Sequence, residues 1–148
     1  YVSVITFIAG YIISELIRRM NRAESFNAQI FSKRLDVFAE LYCIWNKTYS
    51  NVTSYIEKVA TLQEPDERYL LERHFEIIEP LLCYMDENAL FFSHELRVQC
   101  GAAFLIGGFS ETECREYLEQ IAEQNRIVTE MIKAESGMTM LNKNIKNI

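Results

Sequence analysis

Residues 31–59 read FSKRLDVFAELYCIWNKTYSNVTSYIEKV, and their apolar positions step by alternating fours and threes. Phe31, Leu35, Phe38, Tyr42, Trp45, Tyr49, Val52, Ile56 and Val59 fall on this seam. Such spacing is helical and cannot be a strand, whose side chains alternate faces every second residue. Ile30, Val37, Leu41, Ile44 and Tyr55 widen the stripe beyond what a two-stranded coiled coil buries, so several helices must pack on it. The expected fold is all-α, a helical bundle whose core on this helix is Phe31, Leu35, Phe38, Tyr42, Trp45, Tyr49, Val52 and Ile56. No proline precedes Pro65, and only Gly10 interrupts the first sixty residues, so one helix can run from the start of the chain through the seam.

Upstream lies YVSVITFIAGYIISELIRR, residues 1–19. Tyr1 to Ile17 is mostly Val, Ile, Phe, Tyr and Ala and would span roughly 25 Å as helix, enough for a thin bilayer core. The expected division is therefore a transmembrane helix over 1–19 and a cytosolic helical bundle over 20–148. A buried core helix and the apolar part of a secretory signal are the competing readings, but no small-residue cleavage site follows. Between residues 18 and 34, Arg18, Arg19, Arg22, Lys33 and Arg34 face a lone Glu24, a net of +4, which assigns the C-terminal side to the cytoplasm. The chain does not begin with Met, so a few further residues are expected upstream.

Within the apolar run, Ser3, Thr6, Gly10 and Ser14 recur every three or four residues and share one helix face. Small side chains there let helices approach closely, and hydroxyls can meet partners or water. Glu15 lies one position beyond, where it can pair with Arg18 or Arg19 or line a pore mouth. These five residues form the candidate pore or helix interface; the plainer alternative is a snorkelling Glu beside incidental small residues.

Downstream, LQEPDERYLLERHFEIIEPLLCYM restarts a helix at Pro65, where a missing N–H costs nothing, and Asp66 and Glu67 suit its positive end. Pro80 should bend or break it. DENALFFSHELRVQCGAAFLIGGF predicts a short helix or turn and then a helix that fails at Gly107 and Gly108. Ser110-Glu111-Thr112-Glu113 has the form of a capping box and opens a last amphipathic helix through Cys114, Leu118, Ile121, Ile127 or Val128, and Met131. The tail MTMLNKNIKNI has weak periodicity.

The 148 residues are 49% hydrophobic and 24% charged, with a net charge of −6, which suits one membrane helix and one modest domain. Because the start is basic, the remainder is acidic, and no DNA binding is expected. Cys43, Cys83, Cys100 and Cys114 show no C-x-x-C pairing and read as reduced core cysteines rather than metal ligands. Two N-x-T sequons, at Asn46 and Asn51, fall on the expected cytoplasmic helix and carry no weight. No glycine-rich phosphate loop occurs, and neither a metal nor a cofactor is expected.

Catalytic candidates are few, because His74 and His94 are the only histidines. Arg68 and His74, in RYLLERH, form R-x5-H, which resembles the R-x4-6-H signature of the HEPN superfamily of small helical ribonuclease-related domains. The resemblance implies a site shared between two subunits, in which His handles the proton of a ribose 2′-hydroxyl and Arg stabilises phosphate charge. The polar residue usual after that Arg is Tyr69 here, and six positions on an ideal helix set two side chains about 120° apart.

A span, a basic cuff, a helical bundle and a degenerate R-x5-H together resemble the small membrane accessory proteins of type VI-B CRISPR loci. FSKRLDVFAELY also looks like the segment that follows the span in many small bacterial membrane proteins of unknown role. The first resemblance implies a ring-shaped homo-oligomer in the bacterial inner membrane, a pore that depolarises the infected cell and strengthens antiphage defence. Its partners would be the lipid bilayer, copies of itself and, functionally, an RNA-guided RNA-cutting effector. Two other classes stand beside it: a membrane-tethered scaffold or regulator, and a membrane-tethered ribonuclease using Arg68 and His74.

Overall fold

The computed structural model describes the backbone of residues 2–62 and 66–137, and side chains from Ile13 onward. Within these bounds the chain is all-α, with four helices and no strands. Helix α1 spans Val2–Val59, α2 Glu67–Glu87, α3 His94–Ala102 and α4 Glu111–Glu135, with a 3-10 turn at Ala89–Phe91. Two compact units result, Tyr1–Asp36 and Val37–Ile148. The first contains only α1; the second contains the rest of α1 and the other helices.

In the second unit, α1 contributes Val37, Phe38, Leu41, Trp45, Val52, Ile56 and Val59 to the core. Trp45 is fully buried against Phe104, ring centroids 5.0 Å apart, and its Nε1–H donates to Asn125 Oδ1 at 2.7 Å. A buried indole with its one donor satisfied combines a large apolar area with no desolvation penalty. Phe38 meets Phe92 edge-on at 5.3 Å, and the Tyr84 hydroxyl donates to Val37 O at 3.0 Å. The Tyr55 hydroxyl likewise donates to Leu70 O at 2.8 Å, fixing the start of α2 against α1.

The expected seam drifts relative to the observed one. Phe31 and Tyr42 are exposed, Leu35 and Tyr49 are half-buried, and Leu41 and Thr48 hold the buried positions instead. An ideal helix turns at 3.6 residues, so a face read on a strict 3.5 repeat slips sideways as it lengthens. On α4 the expected Cys114, Ile121 and Val128 are buried, but Tyr117 and Ile132 hold the core positions expected for Leu118 and Met131, which pack at the margin.

Of the other local expectations, some hold and some are corrected. α2 begins after Asp66, whose carboxylate accepts from the N–H groups of Arg68 and Tyr69 at 3.2 and 3.3 Å; Pro65 itself lies outside the described residues. Pro80 does not end α2, because Ile78, Leu81 and Met85 anchor both sides of it in the core while its ring faces outward. α3 stops at Ala102 rather than at the glycines, since Ala103 and Phe104 turn inward to be buried. The capping box on α4 is present: Ser110 Oγ accepts from Glu113 N–H, and Glu113 Oε2 accepts from Ser110 N–H at 3.0 Å. Cys100 and Cys114 are buried, whereas Cys43 and Cys83 are exposed, so only half of the cysteines belong to the core.

Among the described residues, no helix is long and apolar enough to cross a membrane. Glu15, Arg18 and Arg19 close the apolar run, and the span expected over residues 1–19 is not found as such.

Candidate functional site

Arg68 and His74 share a helix but not an environment. Arg68 sits in the first turn of α2 with 88% of its side chain exposed, and its Nε–H donates to Glu72 at 3.2 Å. His74, six residues on, is 2% exposed and lies beneath the segment that follows α3. Its Nε2 is 2.9 Å from Phe104 O; a carbonyl only accepts, so Nε2 carries the proton and donates. Tyr55 stacks on the imidazole at 6.4 Å, and Tyr117 meets it edge-on at 5.9 Å.

Burial pushes the His74 pKa below its ordinary value, with the Phe104 bond opposing, and burial raises that of Tyr117. His74 Nδ1 and the Tyr117 hydroxyl have no hydrogen-bond partner among the described residues. A general base must reach the proton it takes. The one lone pair His74 could use is sealed in the core, and the Arg68 guanidinium points to solvent. A single chain therefore does not bring the two residues together.

Above His74 the surface is apolar. Leu71, Phe75 and Leu105 are 54%, 53% and 76% exposed and, with Ile78 and Ile106, line a groove of about 630 Å³ edged by Glu72 and Glu76. α2 thus has two apolar rows: Leu70, His74, Ile78, Leu81 and Met85 go inward, whereas Leu71 and Phe75 stay outside. The signal lay in the doublet Leu70-Leu71 and the pair His74-Phe75, where one turn of helix offers more apolar residues than a single face can bury.

A smaller cavity of about 410 Å³ gathers Cys83, Asp86, His94 and Arg97 from α2 and α3, with Arg97 3.7 Å from Asp86. No sequence motif marks it, since its members come from two helices. Among the described residues no group of His, Cys, Asp and Glu could hold a metal ion.

Of the candidate pore residues, Ser3, Thr6 and Gly10 fall on α1 where side chains lie outside the described part. Ser14 is exposed, and Glu15 accepts from Arg19 Nε–H at 3.3 Å and forms an ion pair with Arg18 at 3.4 Å. Ile13, Leu16, Ile17 and Met20 follow at helical spacing on one face of α1, each more than half exposed. Arg18 and Arg22 lie on the opposite face and Arg19 at its flank. Comparison with family models, curated proteins and solved structures finds no match.

Proposed function

We propose that this is a membrane-anchored helical protein of the bacterial inner membrane, one that assembles with copies of itself into a ring and raises the permeability of the bilayer. The observation that carries this reading is the uncovered apolar face of α1 at Ile13, Leu16, Ile17 and Met20, continuous with the apolar sequence before it. Such a face in water is costly, and lipid or other helices relieve the cost. A hydrophobic run too short for the bilayer is accommodated by snorkelling flanks and by oligomerisation. Arg18 and Arg19 supply the first, and the small-residue face of Ser3, Thr6, Gly10 and Ser14 favours the second. Support of an RNA-guided antiphage effector is the physiological role that fits such a protein. The full chain reconstituted in vesicles should elute from detergent as an oligomer and release an entrapped dye. RNA incubated under the same conditions should remain intact, since His74 is sealed and Arg68 is turned away from it.

A second reading rests on the groove over His74. Leu71, Phe75 and Leu105 offer an apolar surface such as a tethered scaffold would use to dock another protein. Vesicles that stay sealed around a monomeric, membrane-bound chain would favour it.

A further inference from the structure

The segment of α1 between Ile13 and Arg22 is two-faced. At 100° per residue, Ile13, Leu16, Ile17 and Met20 occupy an arc of about 100°, while Arg18 and Arg22 lie roughly opposite and Arg19 to one side. A helix immersed in hydrocarbon has no use for a guanidinium face, and a helix in water has no use for the apolar one. The boundary between acyl chains and headgroups satisfies both. We infer that residues 13–22 form an interfacial segment that binds an anionic phospholipid surface, with Ile13, Leu16, Ile17 and Met20 entering the acyl boundary and Arg18, Arg19 and Arg22 meeting lipid phosphates.

Charge selects the lipid class. Three arginines face one carboxylate in this segment, and the carboxylate of Glu15 is already engaged by Arg18 and Arg19. Arg22 has no ion-pair partner among the described residues, so its guanidinium is the one most free to take a phosphate in a bidentate manner. Glu15 works against anionic lipid, because it offers two of the three guanidiniums a competing oxygen. The inference rests on the membrane-anchored reading, and it adds which headgroups the anchor prefers.

The full chain, purified in a non-ionic detergent, is mixed with vesicles of phosphatidylcholine alone or of phosphatidylcholine with phosphatidylglycerol, and floated through a density gradient. Wild-type protein should float with both, and more with the anionic vesicles. Arg22→Gln should lower that preference about fivefold, the effect of one basic side chain near a charged surface, and Glu15→Gln should raise it by a similar factor. Arg115→Gln, on the surface of α4, should change nothing. Raising the salt concentration should erase the preference while flotation on the neutral vesicles persists. Equal flotation with both vesicle types, or a preference that ignores Arg22, Glu15 and salt, overturns the inference and leaves the anchor standing. Failure to float with either overturns the anchor as well.

Discussion

His74 donates its Nε2–H to Phe104 O across 2.9 Å, a bond that joins the middle of α2 to the segment leaving α3. It converts the one histidine of the R-x5-H motif into a structural strut, with Tyr55 and Tyr117 closing around the ring. The motif thus keeps its sequence form while its two members face different media.

That strut should show in the pH dependence of stability. Burial lowers the His74 pKa, so as pH falls through the ordinary histidine range the unfolded chain takes up a proton before the native chain does. The contribution is fully present above about pH 6.5 and is lost below it, at no more than about 1.4 kcal/mol per pH unit. His74→Gln, which can still donate to Phe104 O, should have a shallower loss. Denaturant titrations of both proteins between pH 7 and 5 check it; identical slopes would contradict the burial of His74 as a neutral imidazole.

Trp45→Ala should destabilise the bundle by about 3–5 kcal/mol, the cost of deleting a fully buried aromatic ring, and leave Asn125 without its indole partner. Equilibrium unfolding measures it. Phe31→Ala, at an exposed position of the same expected seam, should cost less than about 1 kcal/mol.

Ser110→Ala should cost about 1 kcal/mol by releasing the first turn of α4, and Gly108→Ala should act through the same cap. A Cβ at Gly108 would collide with the Glu113 carboxylate, forcing that flexible side chain out of its bond to Ser110 N–H. If the two effects share the cap, the double variant should lose less than the sum of the single losses, as a double-mutant cycle would show.

Phe75→Asp should leave the melting behaviour of the bundle nearly unchanged, because the ring is about half exposed, yet it should destroy the apolar surface of the groove. If the groove docks another protein, affinity for that protein should fall at least tenfold while vesicle leak stays as in the wild type. A large drop in stability instead would mean that Phe75 belongs to the core.

The helices were legible because their signals are local. Ser110 and Glu113 announced the start of α4, and the spacing of Phe38, Trp45, Val52 and Ile56 marked the inner face of α1. Positions such as Tyr42 and Leu41 were not separable, since adjacent apolar residues differ in burial only through the helices that cover them. α3 ends before Gly107 and Gly108 for a related reason: Ala103 and Phe104 leave the helix to fill the core, and that pull is tertiary. Of the candidate site, Arg68 and His74 were readable as a motif but not as an exposed and a buried residue. The cluster of Cys83, Asp86, His94 and Arg97 needed the packing of α2 beside α3 to exist at all.

If α1 carries the chain into a bilayer, assembled copies of it should make that bilayer leak. Dye release from vesicles holding the reconstituted full chain tests it most directly, with the oligomer sized in the same detergent before reconstitution. A particle larger than one chain is expected, with release that scales with the amount of protein inserted. A monomer in vesicles that remain sealed at every protein-to-lipid ratio would contradict it.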